Sequence, residues 1–168
     1  MITDQKLLLL ANELGDSLMQ RGIMLVSAES CTGGWVGQTI TAIAGSSRWY
    51  ERGFITYSNL SKQEMLGVDE QILNKFGAVS EQIASEMAAG AISHSSAQFS
   101  IAVTGIAGPG GATEGKPVGM ICHGWAIKDS LVKSAVCMLE GDRESIRKQA
   151  VAIALQGAID LLHEDIKD

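Results

Sequence analysis

The chain has 168 residues, a length suited to one domain of ordinary size. Hydrophobic residues make up 46% and charged residues 19%, which supports a substantial core and argues against disorder. A net charge of −6 with no concentrated run of Lys and Arg argues against a nucleic-acid partner. No apolar run reaches the roughly 18–20 residues of a membrane helix.

Taken in order, Leu7, Leu10, Leu14 and Leu18 recur at helical spacing and predict a helix over 7–19, stopped by Gly22. A first strand is expected over 23–28. It runs into Ala28-Glu29-Ser30-Cys31-Thr32-Gly33-Gly34, and a helix over 33–44 follows with Val36, Ile40 and Ile43 on one face. Residues 54–57 read as a short strand. Ser58 can cap the next helix, and Ser61 with Glu64 also matches a capping box; either way Lys62 falls near the first turn. A short helix is expected over 68–76, closed by Gly77. Ser80 caps a longer helix to about residue 93, with Ile83, Met87 and Ala91 inward. A third strand over 99–104 enters the glycine-dense loop 105–112. Strands over 118–127 and 131–139 form an antiparallel hairpin, and Asp142 caps a last helix carrying Ile146, Ile153, Ala154 and Leu161. Early strands separated by helices, then a hairpin and a final helix, give an α/β fold. The expectation is a three-layer α/β/α sandwich with a mixed sheet, as a single domain over 1–168.

The stretch 28–34 places two possible nucleophiles, Ser30 and Cys31, between a strand and a helix start. A helix start offers N–H groups and partial positive charge; the competing reading is an ordinary turn with Ser30 or Thr32 as N-cap. A serine nucleophile needs a base. His94 lies at a helix end, His163 near the C-terminus and His123 mid-strand, so none is placed to serve Ser30. Lys62 is either a solvated surface lysine or a base whose pKa is lowered by burial or by the helix start. Tyr57 stands on the same rim. Cys31 is the stronger nucleophile intrinsically, yet in an extended segment it points away from Ser30, so a small buried cysteine is its alternative. Loop 105–111 lacks a phosphate fingerprint but allows close backbone approach to a ligand. Arg143 and Arg147 sit one turn apart at the last helix start, where a basic residue is unfavourable for the dipole. Arg143 is therefore a candidate anion ligand. Trp35, Trp49 and Trp125 read as core or interface material, with Trp35 and Trp49 as a possible apolar patch for self-association.

The three cysteines, Cys31, Cys122 and Cys137, have no CxxC spacing. Neither a zinc site nor a disulfide framework is expected, and a reduced, cytoplasmic setting fits. The first residues, Met1-Ile2-Thr3-Asp4-Gln5-Lys6, do not read as a signal peptide.

Six blocks in order resemble the CinA C-terminal-domain family. They are Ala28-Glu29-Ser30-Cys31-Thr32-Gly33-Gly34; Gly45-Ser46-Ser47; Gly53-Phe54-Ile55-Thr56-Tyr57-Ser58-Asn59 with Lys62; Gly77-Ala78-Val79-Ser80; Gly105-Ile106-Ala107-Gly108-Pro109 with Lys116-Pro117-Val118-Gly119; and Gly141-Asp142-Arg143. The resemblance implies a nicotinamide-nucleotide amidohydrolase acting on nicotinamide mononucleotide in pyridine-nucleotide recycling. It also implies a serine–lysine mechanism with Ser30, Lys62 and Tyr57 as catalytic residues, no metal or organic cofactor, and a homodimer. Longer relatives carry a molybdopterin-binding-like domain, whose activity is not expected here. Thr32, Gly33, Gly34, Ser47, Thr104, Gly105, Gly108 and Arg143 are the residues expected to bind substrate. A cysteine hydrolase on the same scaffold, or a non-catalytic regulatory or assembly module, are the competing readings.

Overall fold

In the computed structural model, residues 1–164 are described; the last four residues of the expected domain lie outside the described residues. The strands are β1 Leu25–Glu29, β2 Tyr50–Ile55, β3 Phe99–Gly105, β4 Met120–Ile127 and β5 Leu131–Met138. They form one sheet in the order β2-β1-β3-β4-β5. β1 pairs in parallel with both β2 and β3, whereas β3–β4 and β4–β5 are antiparallel. Six helices cover it: α1 Asp4–Arg21, α2 Trp35–Thr41, α3 Asn59–Leu66, α4 Glu70–Phe76, α5 Glu81–Ser93 and α6 Arg143–Glu164. The mixed three-layer α/β/α sandwich expected from the sequence is the one observed.

Period-two alternation along buried strands sends side chains into two separate cores. Leu25, Phe99, Ile101 and Val103 join α1 and α6 on one face. Val26, Ala28, Ala102 and Ala126 join α3, α4 and α5 on the other. The same alternation at the end of β1 turns Glu29 towards α2 and Ser30 towards α3. No helix among the described residues is long and apolar enough to cross a membrane.

Element ends differ from the sequence expectation for identifiable reasons. The Ile23 N–H closes α1 by bonding the Leu18 carbonyl at 3.2 Å, so β1 starts only at Leu25. Gly33 and Gly34 have φ of +60° and +102°, so α2 starts after them, at Trp35. Trp49 is 1% exposed and packs on α1 at Gly15, so it belongs to the core and forms no surface patch with the half-buried Trp35.

The approach of α5 to α3 depends on Gly90. A Cβ there would stand 2.1 Å from the Leu66 carbonyl oxygen at the end of α3, a backbone atom that cannot swing away. Gly90→Ala should therefore destabilise by about 1–3 kcal/mol in urea unfolding, by forcing α3 off α5.

Candidate active site

Three segments converge at the carboxyl end of the parallel strands. The first is the turn after β1. The Ser30 N–H bonds the Val103 carbonyl at 2.9 Å, which holds the turn against β3. The second is the end of β2. The Thr56 N–H pairs with the Glu29 carbonyl at 2.8 Å, continuing the sheet one residue past the strand. The third is α3, whose start is fixed by a capping box: the Ser58 hydroxyl accepts from the Ser61 N–H and the Ser61 hydroxyl accepts from the Ser58 N–H, each at 3.1 Å. Of the two capping arrangements the sequence allowed, this one uses Ser58. It leaves Lys62 in the first turn, facing the sheet.

Lys62 is 1% exposed. Its Nζ stands 3.0 Å from Ser30 Oγ and donates to the Thr56 carbonyl at 2.8 Å. Burial strips water from the ammonium and pushes its pKa down to about 8, so burial is the main cause of the shift. None of the three histidines hydrogen-bonds Ser30. His123 is buried on the opposite face of the sheet, with Nε2 on the Ala150 carbonyl at 2.9 Å, and burial pushes its pKa down to about 4. Cys31 lies in the α1–α6 core, where burial pushes its thiol up to about 12, so its thiolate is inaccessible at neutral pH.

The turn 30–34 is tied by two side chains of opposite charge. Glu29, 2% exposed, accepts the Thr32 hydroxyl at 2.7 Å and the Val36 and Gly37 N–H groups at 2.8 and 3.1 Å. The α2 cap that Ser30 or Thr32 was expected to supply thus comes from Glu29, with Gly34 at the N-cap position and making no side-chain bond. From the other side, Arg147 Nε donates to the Cys31 carbonyl and Nη2 to the Thr32 carbonyl, both at 3.0 Å. The sequence alone assigns Glu29 no role and places Arg147 only one turn from Arg143. The signal for Glu29 was a carboxylate closing an apolar strand, because such a charge is buried only when hydrogen-bonded.

A cavity of about 180 Å³ lies over the serine, lined by Ser30, Tyr57, Lys62, Thr104, Gly105 and Arg143 among others. Thr104 donates its hydroxyl to the Ala78 carbonyl at 2.8 Å. Arg143 donates to the Gly108 carbonyl at 2.7 Å and to the Tyr57 hydroxyl at 3.3 Å, across the cavity mouth. Tyr57 is 65% exposed, and that bond to Arg143, rather than one to Ser30 or Lys62, occupies its hydroxyl. A second cleft of about 680 Å³ is lined by Thr32, Gly33, Trp35 and Arg147, and Arg143 lines both. Gly34 packs beside Ile55, and Ser47 lies exposed in the 3₁₀ turn Ser46–Arg48, lining neither space. Among the described residues, no group of three or more His, Cys, Asp or Glu is arranged to hold a metal ion.

The fold is a mixed α/β/α sandwich in which a buried lysine stands against a serine at the end of a parallel strand. The family model for the CinA C-terminal domain matches residues 8–162, and the chain belongs to that family. It is 47% identical over 156 residues to the nicotinamide-nucleotide amidohydrolase PncC of Escherichia coli (strain K12), covering 92% of this chain and 94% of that one. It is 43% identical over 152 residues to the nicotinamide-nucleotide amidohydrolase PncC of Pseudomonas putida, covering 90% and 94%. Among solved structures, the competence/damage inducible protein of Agrobacterium tumefaciens superposes with a TM-score of 0.89 at 42% identity, covering 93% of this chain and 95% of that one. A CinA superfamily protein of Klebsiella pneumoniae superposes at 0.90 with 31% identity, covering 94% and 98%.

Two outcomes follow from this geometry. Glu29→Gln keeps the shape but turns an amide N–H₂ towards a backbone N–H or the Thr32 hydroxyl, and should cost about 1–3 kcal/mol by urea unfolding. A lysine whose folded pKa is below its unfolded one costs stability that is fully present below about pH 8 and is relieved as pH rises towards 10.5. The stability of Lys62→Met relative to the unsubstituted protein, followed by urea unfolding, should therefore fall as pH rises through that window.

Proposed function

We propose that this protein hydrolyses the carboxamide of nicotinamide mononucleotide to nicotinic acid mononucleotide and ammonia, with Ser30 as nucleophile and Lys62 as base. The observation that carries the reading is the Lys62 Nζ–Ser30 Oγ separation of 3.0 Å, within reach for proton transfer, at a lysine whose pKa is lowered to about 8. At neutral pH about a tenth of such lysines are uncharged. The similarity to nicotinamide-nucleotide amidohydrolases over most of both chains supports the substrate.

In this mechanism neutral Lys62 uses one N–H to hold the Thr56 carbonyl and turns its lone pair to the Ser30 hydroxyl. It takes the hydroxyl proton as Oγ bonds to the carboxamide carbon, and the carbonyl oxygen becomes an oxyanion. Lys62 then gives that proton to the amide nitrogen, the C–N bond breaks and ammonia leaves, so Ser30 holds an ester. Water loses a proton to Lys62 and attacks the ester carbon. Ser30 Oγ leaves and recovers the proton, and the new carboxylic acid gives its remaining proton to solvent and is released as the carboxylate. N–H groups at residues 31, 32, 107 and 108, which make no hydrogen bond among the described residues, are the oxyanion donors within this reading. Thr104, Gly105, Gly108 and Arg143 hold the ribose phosphate, and Tyr57 with Arg143 frames the entrance. The proposed setting is pyridine-nucleotide recycling in the cytoplasm, carried out by a homodimer.

Ammonia release from nicotinamide mononucleotide should fall at least about 10³-fold in Ser30→Ala and in Lys62→Ala, the loss expected when a nucleophile–base unit is broken. Full activity in purified Ser30→Ala would overturn the reading. The unsubstituted protein should show kcat/KM rising with pH through an apparent pKa near 8, as Lys62 becomes neutral.

A further inference from the structure

Most N–H groups of the turn after β1 are bonded; those of Cys31, Thr32 and Gly34 have no partner among the described residues. The Ser30 N–H goes to Val103 and the Gly33 N–H to the Ser30 carbonyl at 3.1 Å. The Trp35 N–H goes to the Thr32 carbonyl at 3.1 Å, and the Val36 and Gly37 N–H groups go to Glu29. The carbonyls of Cys31 and Thr32 both accept from the Arg147 guanidinium at 3.0 Å. The N–H groups of Cys31 and Thr32, the two residues directly after the nucleophile, make no bond to another residue among the described residues.

These bonds form two chains that begin on one positive charge. In the first, Arg147 holds the Cys31 carbonyl, and the N–H of that same peptide plane is Thr32's. In the second, Arg147 holds the Thr32 carbonyl, and that plane's N–H, on Gly33, bonds the Ser30 carbonyl. The plane holding the Ser30 carbonyl ends in the Cys31 N–H. A donor bonded to a carbonyl withdraws electrons from the peptide and strengthens the N–H on its far side, more so when the donor is charged. Both chains therefore end at free, polarised N–H groups next to Ser30. The guanidinium is itself held in place, with its carbon 5.3 Å from the Trp35 ring.

We propose that Arg147 is a positioning residue for the hydrolysis: it fixes and polarises the peptide planes 30–31 and 31–32 so that the Cys31 and Thr32 N–H groups receive the oxyanion. This rests on Ser30 being the nucleophile of an amide hydrolysis. Arg147 touches no reacting atom; its charge acts through the backbone, when the carboxamide oxygen becomes negative. Its loss should then lower kcat and leave KM nearly unchanged.

The test uses Arg147→Lys and Arg147→Ala in the full chain, with Ser30→Ala as control. The substrates are nicotinamide mononucleotide and nicotinamide riboside, which lacks the phosphate. A lysine keeps charge but cannot hold two carbonyls in one plane, so kcat should fall about tenfold, and about a hundredfold in Arg147→Ala, up to the loss of one oxyanion donor. The fall should be the same on both substrates, and guanidine at sub-denaturing concentration should restore part of the Arg147→Ala activity. In ¹H–¹⁵N spectra the Cys31 and Thr32 amide protons should move upfield in Arg147→Lys, a readout independent of turnover. A rise in KM confined to the mononucleotide would make Arg147 a phosphate ligand and overturn the proposal. So would full activity in both variants while Ser30→Ala is inactive, a result that leaves the serine mechanism standing. Unmoved amide protons, or equal losses in both variants without guanidine rescue, overturn it as well. Absence of amide turnover by the unsubstituted protein overturns the hydrolase reading and this inference together.

Discussion

The structure around the serine depends on one enclosed contact, the Lys62 ammonium against the Ser30 hydroxyl with its remaining reach taken by the Thr56 carbonyl. Holding a lysine there costs on the order of 3 kcal/mol at neutral pH, as the fall of its pKa to about 8 implies. That cost is a sizeable part of the net stability of an ordinary domain, about 5–15 kcal/mol, so the surroundings must hold the lysine firmly. They do so from three directions: the Ser58–Ser61 cap fixes the start of α3, Gly90 lets α5 press on its end, and the Thr56–Glu29 pairing sets the height of the accepting carbonyl. The same burial that is unfavourable for folding produces the neutral base that the proposed chemistry needs.

The turn that carries Ser30 is built on a second balance of charge. A strand-to-helix turn suggests a helix N-terminus open to an anion, but α2 is not open: Glu29 already accepts its Val36 and Gly37 N–H groups. A buried carboxylate at that position satisfies the helix dipole and takes up two N–H groups of the first turn of α2. Arg147 performs the matching task on the carbonyls. The N–H groups of Cys31 and Thr32 beside Ser30 make no hydrogen bond to another described residue, and neither does that of Gly34. Period-two alternation decides the fate of the neighbouring side chains: Ser30 meets Lys62, while Cys31, which also borders the cavity, packs into the α1–α6 core.

Arg143 joins the parts of the site that come from distant segments. It ties the start of α6 to the glycine loop through the Gly108 carbonyl and to the end of β2 through Tyr57, and it lines both the small cavity and the larger cleft. A basic residue at a helix start, unfavourable for the dipole, is stabilised here by these long-range partners. Shape and charge at the mouth of the site are thus set by one side chain bridging three segments, which fits the similarity to relatives along nearly the whole chain.

Much of this protein was legible from local chemistry. Apolar spacing gave the helices, β-rich runs gave four strands closely but only the end of β2, which runs Tyr50–Ile55 rather than 54–57, and a serine, lysine and glycine pattern marked the site, because these signals act over a few residues. Gly22 and Gly77 end helices where the chain reads that they should. The order of the blocks was enough to suggest the family. What the sequence could not decide was anything set by contact between distant segments. It could not tell a solvated Lys62 from a buried one, because the groups that meet it, Ser30 after β1 and the Thr56 carbonyl after β2, come from other segments. It offered Ser30 or Thr32 as the α2 cap, because the accepting Glu29 belongs to the preceding strand. It counted Trp49 with a surface patch, because the room for that ring is the missing side chain of Gly15 on α1. Local spacing determined the elements and the reactive residue types; only tertiary packing decided which side chains lose water, and dehydration is what turns an ordinary lysine into a candidate base.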